Sequence, residues 1–89
     1  MGIEERLDDL KLDTSAFRIL CYLSFKDAPM KPGEIAREIE QNPSTVRARL
    51  TELKSKGLVV SKPQGYVSAL VPYDILMKLY RDIKKETGG

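Results

Sequence analysis

Apolar residues recur at helical spacing in five stretches of the chain and follow strand-like patterns in two. In "IEERLDDLKL", Ile3, Leu7 and Leu10 form one narrow stripe with acids between them, which predicts a short amphipathic helix. "DTSAFRILCYLSFKD" follows, with Asp13 or Thr14 as the N-cap. Phe17, Ile19, Leu20, Cys21 and Leu23 cover so much of this second helix that it must be buried on most sides. Pro29 breaks it, and Pro32 suits the first turn of a third helix whose inward face is Ile35, Ala36 and Ile39. Asn42-Pro43 starts a fourth helix, because the residue before proline is pushed to the extended conformation that an N-cap needs. Val46, Leu50 and Leu53 then recur at i, i+4 and i+7 until Gly57, placed as a C′ glycine.

Beyond Gly57 the pattern changes. "LVVSK" and "YVSALV" read as two strands joined through the turn cluster Pro63-Gln64-Gly65. "PYDILMKLYRDIKKE" opens with Pro72, repeats Leu76, Leu79, Tyr80 and Ile83, and ends in lysines that suit the negative end of a helix dipole. Four helices, a hairpin and a last helix predict a mainly α fold with a small β-hairpin: a winged helix-turn-helix with additional N- and C-terminal helices. The expectation is one domain over 1–89, with an amino-terminal helix (1–12), a winged-helix core (13–71) and a carboxy-terminal helix (72–86).

The solvent side of the fourth helix is its most informative surface. With Val46, Leu50 and Leu53 buried, the opposite side is Ser44, Ala48, Thr51 and Ser55, small enough for close backbone approach to a wall of phosphates and base edges. Arg47 and Lys54 lie on one flank; Thr45, Arg49 and Glu52 lie on the other. Small residues between basic flanks suit groove insertion, since the long side chains then reach bases or phosphates. Unpaired backbone N–H groups near Ser44 and Thr45, at the positive end of the dipole, favour a phosphate. The bland alternative is a solvated face, but such a face more often carries Glu-Lys pairs than Ser, Ala and Thr. At the hairpin tip, Lys62 is the only cation and Gln64 its neighbour, enough to touch one phosphate.

Composition sharpens this reading. The net charge of +2 hides an asymmetry: residues 1–13 hold five acids against two bases, and residues 42–65 hold five bases against Glu52 alone. Positive charge is therefore concentrated where a polyanion surface would lie. With no histidine and one cysteine, there is no zinc constellation, no Ser-His or Cys-His pair and no internal disulfide. No glycine-rich phosphate loop or apolar run of roughly 18 residues is present, and no secretory leader is visible in these 89 residues. The expectation is a cytoplasmic protein without catalytic residues, metal or cofactor. Cys21, on an apolar helix face, reads as a small hydrophobe rather than a redox sensor. Tyr66, Tyr73 and Tyr80 read as core or interface residues.

A chain of 89 residues buries only about 60–65% of its unfolded surface, so burial against a second copy would add stability. The last helix carries Ile75, Leu76, Leu79, Tyr80 and Ile83, more than one small core accepts. Together with Ile3 and Leu7, these are the expected homodimer interface. The competing account folds the last helix back onto the first within a monomer.

From Asp13 to about Ile83 the chain resembles the winged-helix domains of prokaryotic transcriptional regulators, most closely the TrmB type known from archaea and next the MarR type. The residues that carry this are Glu34-Ile35-Ala36, Ser44-Thr45-Val46, Leu50, Leu53 and Lys56-Gly57-Leu58-Val59, with Pro72 leading into the last helix. Those families place a glycine and an aliphatic residue between the two motif helices, where this chain has Glu40 and Gln41. Glycine suits a left-handed turn and glutamate is strained there, so a longer or differently shaped turn is expected. The sugar-sensing domain of the TrmB type is not carried over. The resemblance implies a sequence-specific double-stranded DNA-binding regulator acting as a homodimer, with the helix 43–56 in the major groove. The alternative is a winged-helix module that binds protein in transcription or replication machinery. The basic segment favours DNA.

Overall fold

Thr14 sets the first helix whose bounds the structure, a computed structural model, gives; the described residues are 7–26 and 28–86. The threonine Oγ1 accepts the Phe17 amide at 3.2 Å and donates to the Lys11 carbonyl at 2.8 Å, capping α1 (Ser15–Ser24). Helix α2 (Pro32–Glu38) begins on its proline, and the Glu34 carboxylate reaches back to the Lys31 amide. Helix α3 (Pro43–Ser55) follows, then β1 (Val59–Lys62), β2 (Gly65–Ser68) and α4 (Pro72–Glu86). Ile3, and with it the start of the amino-terminal stripe, lies outside the described residues.

The core is one cluster with α1 at its centre. Ile19, Leu20, Ile35, Val46, Leu50, Leu53 and Leu58 are fully buried in it, joined by Leu7, Leu10 and Ile75. Helix α1 packs on α3, β2 and α4, while α2 packs on α3. A hydroxyl relay holds the far end of α1. Ser24 donates to the Leu20 carbonyl at 2.7 Å, so the Ser68 hydroxyl must donate to the Ser24 oxygen, 2.8 Å away. Ser68 Oγ in turn accepts the Leu70 amide at 2.9 Å, which bends the chain out of β2 and toward α4. This is why the second strand stops at Ser68 and does not run through Val71 as the residue pattern suggests.

Met30, which shows no strand signal, adds an isolated antiparallel rung on the free edge of β2. It exchanges both backbone hydrogen bonds with Tyr66, at 3.0 and 2.8 Å, and so ties the hairpin to the chain ahead of α2. The Lys62–Gly65 pair closes the hairpin around Pro63 and Gln64.

The turn between α2 and α3 corrects the expectation of an altered shape. Glu40 adopts φ +56°, the left-handed conformation that glycine normally takes, and Gln41 donates to the Ala36 carbonyl at 2.9 Å. The end of α3 is built alike: Gly57 sits at φ +74°, and Leu58 donates to the Leu53 carbonyl at 3.0 Å. The glutamate therefore tolerates the strain because the turn is held from both sides. Arg18 contributes by donating to the Ile39 carbonyl at 3.0 Å. Glu40→Gly is expected to raise stability by about 1 kcal/mol, read as a higher urea midpoint with an unchanged slope. A lower midpoint would mean that the glutamate side chain compensates its own backbone.

Helix α4 folds back onto α1 through Ile75 and through Lys78, which is fully buried. The Lys78 ammonium lies 2.9 Å from Asp82 Oδ2 and 5.7 Å from the centre of the Phe17 ring. Arg81 pairs with Asp8 at 2.8 Å, binding α4 to the chain ahead of α1.

Candidate nucleic-acid interface

Helix α3 owes its position to three side chains without exposed surface: Val46, Leu50 and Leu53. They press one face against α1 and α2, so the opposite face must meet solvent. Ser44, Arg47, Ala48, Thr51, Lys54 and Ser55 are all exposed there, the small centre and one basic flank that the spacing implies. Thr51 Oγ1 donates to the Arg47 carbonyl at 3.0 Å and Ser55 Oγ to the Glu52 carbonyl at 2.7 Å. Both hydroxyl protons thus point into the helix, leaving oxygen lone pairs outward as acceptors, while Arg47 and Lys54 supply the donors.

The other flank is different. Thr45, Arg49, Glu52 and Lys56 are half-buried, and the last three line an open polar cleft with Asp13, Thr14 and Ser15 at the start of α1. Arg49 Nε is buried there without a hydrogen-bond partner. Arg47 and Arg49 are equivalent flanking cations in the sequence, but only Arg47 stands clear on the open face. The helix start also offers less than its position suggests. Pro43 has no N–H, Asn42 Oδ1 takes the Ser44 amide at 2.8 Å, and Val46 donates to the Asn42 carbonyl. Of the first-turn amides, that leaves Thr45 for a phosphate.

The hairpin flanks the end of α3, because the Gly57 turn sends the chain directly into β1. Lys62 and Gln64 are exposed at its tip. Of the residues expected at a dimer interface, Leu76, Tyr80 and Ile83 are exposed and Leu79 is half-buried. Leu7 and Ile75 instead belong to the protomer's own core, each 1% exposed, so neither is left for a partner. Tyr73, absent from that expected set, is the most exposed large apolar residue described, at 67%.

Cys21 is half-buried, and burial pushes its thiol up to about 11. The protonated form dominates at neutral pH, as for a packing residue and not a reactive one. The described residues contain no group of histidine, cysteine and acidic side chains able to hold a metal ion, and no helix long and apolar enough to cross a membrane.

Three packed helices, with the third exposing a basic face and a hairpin set against its end, define the winged helix-turn-helix class. Residues 18–84 match the family described as winged helix-turn-helix transcription repressor, HrcA DNA-binding. That span is well over half of the chain, and the chain belongs to this family of DNA-binding transcription regulators. The finer likeness to TrmB-type or MarR-type regulators gains no support from the match. No curated protein and no solved structure matches the chain.

Proposed function

We propose that the protein binds double-stranded DNA sequence-specifically as a homodimer, with α3 in the major groove and the hairpin tip on the flanking backbone. The observation that carries this is the exposed face of α3. Small residues stand at its centre with Arg47 and Lys54 beside them, in a family of DNA-binding transcription repressors. The small centre lets the helix backbone approach the base edges. Arg47 then reaches a guanine edge or a phosphate, and the outward hydroxyl oxygens of Thr51 and Ser55 accept from base amino groups. Lys62 and the Thr45 amide take phosphates, which fix the register and carry no sequence information. A dimer sets two such helices on one side of the duplex with half-sites roughly 34 Å apart.

Selection from a random duplex library, followed by a salt titration of the best binder, tests this. A palindrome should be enriched. If each protomer neutralises about four phosphates, log affinity should fall against log salt with a slope of about −3.6 per protomer. Arg47→Ala should cost about 1–3 kcal/mol and relax specificity at one base pair. Lys62→Ala should weaken all duplexes alike and flatten the slope by about one. No enrichment and a slope near zero would sink the reading; uniform weakening by Arg47→Ala would make that arginine a phosphate contact.

A further inference from the structure

Helix α4 turns its buried side and its most apolar side in opposite directions. Ile75, Lys78 and Asp82 face the domain, and the first two are fully buried. Tyr73, Leu76, Tyr80 and Ile83 are 67%, 55%, 58% and 54% exposed. Their spacing of three, four and three residues is that of two consecutive a and d pairs in a heptad, and Lys78 takes the f position opposite the seam. At about 100° per residue, the centres of the two faces lie nearly half a turn apart. The core therefore cannot cover the seam without unseating Lys78.

Resting on the homodimer reading above, we infer that two copies pair through this seam with their α4 helices antiparallel. Tyr73 of one copy meets Ile83 of the other, and Leu76 meets Tyr80. Three features favour this occupant and this orientation. Area is the first. An aromatic side chain carries about 200 Å², so the exposed parts of the seam and the adjoining Val71 sum to on the order of 500 Å² per copy. Two copies then bury about 1,000 Å², the scale at which a specific interface begins. The second is packing. Antiparallel helices pair a with d positions, so all four layers hold one tyrosine and one aliphatic residue and have the same thickness. Parallel helices would stack tyrosine on tyrosine in two layers and aliphatic on aliphatic in the other two. They would also put β-branched Ile83 at d, where two-stranded parallel coils prefer leucine. Charge is the third. Lys84 and Lys85 stand in the last turn and Asp74 in the first. Antiparallel pairing separates the two lysine pairs, brings each toward the partner's acidic first turn, and opposes the helix dipoles favourably. Parallel pairing would crowd four lysines at one end.

Cysteine cross-linking reads the orientation directly. Tyr73→Cys and Ile83→Cys are made separately in a Cys21→Ser background, mixed, allowed to exchange and oxidised. The mixture is expected to give at least tenfold more disulfide-linked dimer than either variant alone. Leu76→Cys with Tyr80→Cys, a second facing pair, should behave in the same way. Efficient self-linking of Ile83→Cys with no gain on mixing means parallel helices and overturns the inference. So does a wild-type mass twice the 10.0 kDa of the chain with no linkage in either pair, which puts the interface elsewhere. A wild-type mass near 10.0 kDa in sedimentation at micromolar concentration instead defeats the homodimer reading itself.

Discussion

Gly65→Ala is expected to destabilise the protein by about 3 kcal/mol, the sum of backbone strain and overpacking at one position. Gly65 sits at φ +143°, where side chains are rarely tolerated. A Cβ there would stand 2.5 Å from both the carbonyl carbon and the carbonyl oxygen of Met30. That backbone cannot retreat cheaply, because Met30 exchanges two hydrogen bonds with the adjacent Tyr66. The alanine must therefore break the Met30 rung or distort the hairpin, and either one frees the wing from the chain ahead of α2. In a domain this size each kilocalorie is about 4–8 °C, so the melting temperature should fall by well over 10 °C. Gly33→Ala is the internal control. Nothing lies within 4 Å of where its methyl group would stand in α2, so it should be neutral or stabilising by up to about 1 kcal/mol. Equal melting temperatures for the two variants would show that the hairpin has room to shift.

Asp82→Ala is expected to be about as damaging, at about 3 kcal/mol, the low end of the range for orphaning a buried charge. Lys78 is fully buried, and its described hydrogen bond goes to Asp82 alone. Asp82 keeps 21% of its side chain in solvent, so water can partly replace the lost carboxylate, which is why the low end applies. Lys78→Met should behave oppositely. It removes the charge together with its need for a partner, keeps the stem packed against Phe17, and is expected to leave stability unchanged or higher. In the Lys78→Met background, Asp82→Ala should then cost little. Equilibrium urea unfolding of the two single variants and the double variant checks this. A double variant as unstable as Asp82→Ala alone would mean that Asp82 acts through something other than Lys78.

Most of the fold is legible in the residue order because local physics sets it. Pro32 and Pro43 start helices through their fixed φ, Asn42 caps through its side chain, and Gly57 ends α3 in the left-handed region; each acts within a few residues. The exposed face of α3 follows from the spacing of Val46, Leu50 and Leu53, since burying one side of a helix determines the other. Glu40 is readable only halfway. Its neighbours mark a turn, but whether a glutamate takes a conformation suited to glycine depends on how firmly α2 and α3 are held. Arg47 and Arg49 look alike in sequence and part company only because the start of α1 packs beside Arg49. The Met30 rung carries no local pattern at all, since one of the two residues between Pro29 and Pro32 pairs with a strand more than thirty positions later. Helix α4 shows the limit most plainly. Its amphipathic pattern says that the apolar side should be covered, and nothing in the pattern says by what. Packing against α1 takes Ile75 and Lys78 inward and leaves Tyr73, Leu76, Tyr80 and Ile83 outside. Spacing along a helix determines which residues share a face, but which face meets the core is decided by contacts among elements distant in sequence, and only the tertiary structure contains them.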